Sequence, residues 1–308
     1  MKIAAFTEGG YTGNIPRNHP NMRTDLAWWC ALNAVHYPIV HLSNMKDNEY
    51  DVGIMILPKN RKQLINLPIL EEYKRVCKKV TIMQESYYNY WQDSSIEEQI
   101  WYFNFIIEMD LIFCHNTIDL NYYNGLTKVR TELMPSVMIS DNIQQKNTEG
   151  QGVIIGGNFV WAYGGFDSHN VGLEITDDIT AVTTGRMKTE ETHILKHVPW
   201  VLWSEWINIL SKFKYAIQLG TASAGTFNLN CSFHGIPCIG YSNVETQKVL
   251  HPFTTVKVGE IGKAKDIANK LKDESFYKEC SSMTKKLYEN HYSEKQFVKH
   301  MTKVLTSL

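Results

Sequence analysis

The sequence predicts an α/β protein built from two tandem doubly wound domains, and three observations lead there. Short apolar runs alternate with amphipathic stretches almost from end to end, the pattern of a parallel sheet with helices on both faces. The rhythm breaks in the polar, aperiodic DNIQQKNTEG at residues 141–150 and then restarts, which makes that stretch the linker candidate. The length of 308 residues suits two domains of ordinary size better than one core.

In the first half, KIAAF (2–6) reads as a strand, followed by a long polar loop and a helix over 22–34. IVHL (39–42), VGIMIL (52–57), VTIM (80–83) and LIFC (111–114) read as further strands, with helices over 61–76 and 96–107 between them. After the linker come strands at GVIIGG, ITAVTT, YAIQLG, PCIGYS and TTVKVG. Helices are expected over 205–213, 226–234 and 261–271, with a terminal amphipathic helix at 293–308. This predicts domains at 1–145 and 146–290 and a final helix at 291–308. Two such sheets in tandem imply a cleft between their carboxyl edges, the edge at which open α/β sheets bind ligands.

Composition narrows the class. Hydrophobic residues make up 44% and charged residues 20%, and the formal net charge is -1, so no global field draws nucleic acid or membrane. The six cysteines are scattered singly, without zinc spacing, and read as buried free thiols. The apolar stretch of MKIAAFTEGG is too short for a signal peptide and no run reaches membrane-spanning length. A cytoplasmic protein is expected.

Three loops permit chemistry. GTASAGTFNLN (220–230) follows a strand and enters a helix, where amides unobstructed by large side chains suit an anion; Ser223 and Thr226 add hydroxyls beside Gly225. The same small residues would also serve tight packing against the sheet. VIIGGNF places Gly156, Gly157 and Asn158 at the first strand end of the second domain, for close approach of a ligand or a plain turn. TIMQESYYNYW places Glu85 just after a strand, among Tyr87, Tyr88, Tyr90 and Trp91. A carboxylate withdrawn from water among rings suits general-base work, although a surface glutamate beside packed aromatics has the same pattern. Neither GxGxxG nor GxxxxGK[ST] occurs.

The tandem domains, the Gly-Gly opening the second and the small-residue loop leading into GIPCI (235–239) resemble the GT-B glycosyltransferases, enzymes that use nucleotide-activated sugars. The resemblance implies that the second domain holds the donor, the first the acceptor, and that the final helix crosses back to the first domain. Looser similarity points to the phage β-glucosyltransferases that modify DNA, in which a strand ending in a carboxylate supplies the base, the position of Glu85. Arginines expected soon after the glycines are absent here, and Arg186 and Lys188 stand as the nearest basic candidates. Retaining relatives with two glutamates around the phosphate loop match less well, because Ala222 and Asn230 occupy those positions. Asn230 can instead bond a ribose hydroxyl.

The resemblance therefore implies transfer of a sugar from a nucleotide-sugar donor, a UDP-sugar before a GDP-sugar, to an acceptor hydroxyl. Inversion and a metal-independent mechanism are expected, with no DxD motif for a metal. The acceptor is open between a glycan, a small molecule and modified DNA, and His19, Arg23, Asp25 and His115 are its candidate contacts. Thr24 and Asp25 also suit helix capping, and His115 suits a structural strand end. Among Trp200, Trp203 and Trp206, core packing is expected, with one ring available to stack on a base. A phage-type DNA glucosyltransferase, a sugar-nucleotide epimerase and a silent sugar-nucleotide binder are the alternatives.

Overall fold

The structure is a computed structural model describing residues 1–59, 64–85, 88–141, 143, 150–157, 159, 163–182, 195–221 and 223–308. Two compact units divide the chain. The first comprises Met1–Arg17, Asp25–Met134 and Val298–Leu308; the second comprises Asn18–Thr24 and Pro135–Phe297.

The first unit runs β1 (Ile3–Thr7), β2 (Gly13–Asn14), α1 (Thr24–Leu32), β3 (Val35–Pro38), β4 (Tyr50–Leu57), α2 (Ile69–Val76), β5 (Cys77–Gln84), α3 (Ile96–Ile106), β6 (Leu111–Cys114), α4 (Thr117–Leu126) and β7 (Thr131–Leu133). Its sheet has the order β2-β3-β1-β4-β5-β6-β7, parallel except for β2 against β3. β4 and β5 bury both faces, which is why VGIMIL and VTIM read as continuous apolar runs. Alternate residues of the central strands (Ala4, Phe6, Met55, Leu57, Val80, Ile82) pack against Tyr73 of α2 and Tyr102 and Phe105 of α3. A capping box starts α3: Ser95 accepts the Glu98 N–H while the Glu98 carboxylate accepts the Ser95 N–H.

Two expectations for this unit need correcting. The strand expected at 39–42 lies at Val35–Pro38, and Ile39–Asn44 forms a 3-10 turn. Ile39 and Leu42, three residues apart, point into the core while Val40 is exposed, the spacing of a 3-10 turn rather than a strand. The helix expected over 61–76 is seen from Ile69, directly after Pro68, whose ring suits a helix start and not its interior. Residues 60–63 lie outside the described set.

The second unit runs β8 (Val153–Ile155), α5 (Gly165–Gly172), β9 (Ile179–Val182), β10 (Lys196–Val198), α6 (Trp203–Leu210), β11 (Tyr215–Gln218), α7 (Thr226–His234), β12 (Cys238–Tyr241), α8 (Glu245–Leu250), β13 (Thr255–Val256), α9 (Ile261–Lys270) and α10 (Glu274–Leu287), and α11 (Glu294–Thr306) ends the chain. Its sheet is wholly parallel, in the order β10-β9-β8-β11-β12-β13. The two-residue strand period splits the core: Val153, Ile155 and Ile217 pack with Ala264 and Ala268 of α9, whereas Ile154, Ala216 and Cys238 pack with Phe227 and Cys231 of α7. α7 is buried along nearly its whole length, and some of its polar side chains find partners outside the helix: Asn228 Nδ2 donates to Gln247 Oε1 at 2.7 Å, and Ser232 Oγ lies 3.1 Å from His251 Nε2.

This is the predicted α/β architecture with two parallel sheets. All six cysteines are free and buried, and burial pushes the Cys77 thiol up to about 12. Among the described residues no helix is long and apolar enough to cross a membrane.

Candidate functional site

In both sheets the chain leaves one strand in two directions, and ligands of such sheets bind at the carboxyl edge beside that reversal. In the second unit the reversal lies between β8 and β11. The glycines after β8 sit there. The Gly156 N–H donates to Ile217 O at 2.9 Å, and a Cβ on Gly156 would meet the Phe227 ring at 2.4 Å. The space expected for a ligand at this glycine is thus taken by the protein's own ring. Gly157, with φ +78°, lines the adjoining cavity.

The loop after β11 is held by side chains. Ser223 Oγ donates to Gln218 Oε1 at 3.1 Å and accepts the Gly225 N–H at 3.0 Å. Ser136 donates to Ala224 O and Asn243 donates to Thr221 O. The Ser223 hydroxyl expected to touch a phosphate is therefore engaged in shaping the loop. Gly225 begins α7 with φ +79°, and a Cβ there would fall 1.7 Å from Thr246 Oγ1.

One helical turn apart on α7, Thr226 and Asn230 present Thr226 Oγ1 and Asn230 Oδ1, both buried and without a hydrogen-bond partner among the described residues. They line a cavity of about 200 Å³ together with Gly157, Trp200, Phe227 and Arg23. Arg23 donates through Nη2 to Val201 O, lies 5.3 Å from the Trp200 ring centroid and leaves Nε buried and unpartnered. Burial lowers its pKa, yet a guanidinium stays charged at neutral pH. Arg23, expected to meet an acceptor, thus stands beside the donor candidates Gly157, Thr226 and Asn230. Asn158, Arg186 and Lys188 lie outside the described residues. His19 Nδ1 accepts the Asn21 N–H at 3.1 Å, a local turn contact.

The first unit's carboxyl edge is different in kind. Glu85 follows β5, its N–H donating to Leu57 O at 2.9 Å and its Oε2 accepting the Lys59 N–H at 3.1 Å. Lys59 Nζ also sits 5.5 Å from the Tyr90 ring centroid. Tyr88 stacks on Tyr122 and Trp91 packs against Tyr102, so those rings join the core; Tyr87 is outside the described residues. Asp25 is half-buried in the first turn of α1. Burial pushes its carboxyl above the usual range, backbone N–H groups and His36 pull it down, and the Glu85 charge raises it.

His36, on β3, is buried, bonds Tyr11 O through Nδ1 and faces Thr7 Oγ1 at 2.9 Å. His115 follows β6 and stacks on Trp28. Burial pushes it down to about 4, against a hydrogen bond with Gln84 O, and its Nδ1 has no hydrogen-bond partner. At neutral pH it is a neutral imidazole. Asp119 of α4 is buried, accepts the Tyr88 N–H at 3.1 Å and is pushed up by burial to about 6.

Sequence reasoning missed His36, Asp119 and the place of Arg23. His36 carried a weak signal, a polar residue within a strand. Arg23 carried none, because its neighbours Val201 and Trp200 are remote in sequence.

No family model matches the chain, and no curated protein matches it in sequence. Solved structures do. The chain is similar to Anabaena HepE in complex with UDP-glucose, with a TM-score of 0.68 and 11% identity over 100% of both chains. It is also similar to the DNA-modifying enzyme β-glucosyltransferase, solved in the presence and absence of uridine diphosphoglucose, with a TM-score of 0.58 and 14% identity over 99% of both chains. TarM gives a TM-score of 0.63 and 9% identity over 87% of this chain and 57% of its own. The fold is GT-B, two Rossmann-like domains.

Proposed function

We propose that this chain is a glycosyltransferase that moves a sugar from a nucleotide-sugar donor to an acceptor hydroxyl, with inversion and without a metal ion. The cavity at the carboxyl edge of the second sheet carries the reading. Its buried unpartnered atoms, Arg23 Nε, Thr226 Oγ1 and Asn230 Oδ1, offer a cation, a hydroxyl and an acceptor. That set complements a nucleoside diphosphate: Asn230 for a ribose hydroxyl, Arg23 and the first amides of α7 for phosphate oxygens. Trp200, 60% exposed, is available to stack on the base. The UDP-glucose bound by HepE supports a UDP-sugar as the donor.

In this reading Glu85 takes the proton from the acceptor hydroxyl as its oxygen attacks the anomeric carbon. The bond from that carbon to the diphosphate breaks, through a transition state of oxocarbenium character. Arg23 and the helix amides stabilise the departing negative charge. The Lys59 N–H holds one Glu85 oxygen and so orients the other. Asp25 and a neutral His115 are the proposed acceptor contacts, with His19 held in its local turn.

A thermal-shift panel of nucleotide sugars tests the reading, because a ligand of the folded state alone raises the melting temperature. UDP-glucose is expected to raise it by several degrees at saturation. A flat response across uridine, guanosine, thymidine, adenosine and cytidine donors would overturn it. The full-length likeness to the DNA-modifying enzyme favours a second reading, with hydroxymethylated duplex DNA as acceptor. It requires retention on duplex DNA that weakens steeply with salt; no retention at low salt removes it.

A further inference from the structure

The helix α3 has two apolar faces, and the first unit covers one of them. Glu98, Tyr102, Phe105 and Ile106 are buried on the inner face. On the opposite face Ile96 is 75% exposed, Ile100 58%, Phe103 37% and Ile107, just past the helix end, 41%. The spacing of four, three and four residues keeps these side chains in one row. A surface helix is ordinarily polar on its outer side, so the row is an interaction surface.

The row reads the same in both directions. Turned end for end, Ile96 falls on Ile107 and Ile100 on Phe103. In a two-fold contact residue i meets j while j meets i, so this spacing lets the whole row pack on its copy. Beyond Phe103 and Ile107 lies a groove of about 830 Å³ lined also by Lys128 and Arg130. Reversal brings Glu97, at the start of one α3, to the end where the second copy carries Lys128. Neither Glu97 nor Lys128 has an ion-pair partner among the described residues. Arg130 is already paired with Glu132 at 2.7 Å. A specific dimer buries roughly 800 Å² per copy. The apolar row supplies a few hundred Å² of that.

We propose that this face binds a second copy of the same chain, with the two α3 helices antiparallel about a two-fold axis. The contact rests on the first unit alone.

Sedimentation equilibrium of the full chain across the micromolar range tests it. Twice the chain mass is expected. Ile100→Glu should weaken self-association by at least about a hundredfold, with circular dichroism and melting unchanged. Ile96→Lys, at a highly exposed position, gives the same reading should Ile100→Glu misfold. Glu97→Lys should weaken the dimer about tenfold, and adding Lys128→Glu should restore it. A wild type that stays monomeric throughout, or a dimer indifferent to Ile100→Glu and Ile96→Lys, would overturn the proposal, whatever other protein the face then binds.

Discussion

The carboxyl edges of the two sheets differ in chemistry although both sheets are doubly wound and parallel apart from the edge strand β2. The first unit's edge carries the titratable groups Glu85, Asp25, His36 and His115, with the Asp25 carboxyl raised and the His115 imidazole lowered. The second unit's edge carries a guanidinium and neutral polar groups around a cavity. Arg23, Thr226 and Asn230 line its cavity, and among the described residues no carboxylate does. In the proposed function one backbone plan serves two tasks, and side chains after the strands assign them.

The largest expected effect tests the proton-handling side. Glu85→Gln should lower turnover by roughly 10³-fold while donor affinity, read by calorimetry, stays within about twofold. Lost donor binding would erase the distinction between the edges. Next in size, Gly225→Ala should cost about 3 kcal/mol, since φ +79° and a Cβ 1.7 Å from Thr246 Oγ1 leave no room. Urea unfolding reads this, and an unchanged midpoint would mean that the second edge does not depend on its backbone shape.

Arg23→Ala should weaken donor binding by about 2 kcal/mol, with Arg23→Lys recovering little of it because the fork is lost. If Arg23→Ala instead raised only the acceptor KM, Arg23 would belong to the other task. The smallest effect concerns pH. Asp119 titrates near 6 in the folded protein and at about 4 in an unfolded chain. Between those values the folded state keeps a proton that the unfolded chain has released, so this group lowers stability as pH rises through the window. Asp119→Asn, which can still accept the Tyr88 N–H, should gain about 2 kcal/mol at pH 7.5 and nothing at pH 4. Urea melts at the two pH values would show equal gains if the carboxyl were not the cause.

Much of this was legible in the order of residues. The strands at 80–83, 111–114 and 238–241 announced themselves, because a parallel strand buried on both faces is continuously apolar. β10, with only Lys, His and Val on a sheet edge, lacked that signature. The turn of Ile39–Asn44 misled in the opposite way, since its apolar composition looks like a strand although the ladder ends at Pro38.

Composition and periodicity alone determined the α/β class, the two sheets and the loops that end their strands, since those are local properties of the chain. Tertiary structure decided how the loops are used. Around Gly225 the loop is held from within by Ser223 and Gln218, and Gly156 makes way for Phe227. Arg23 reached the cavity of Thr226 and Asn230, about two hundred residues away in sequence. Strand order is set by pairing between distant segments, and no local pattern encodes which loops then become neighbours.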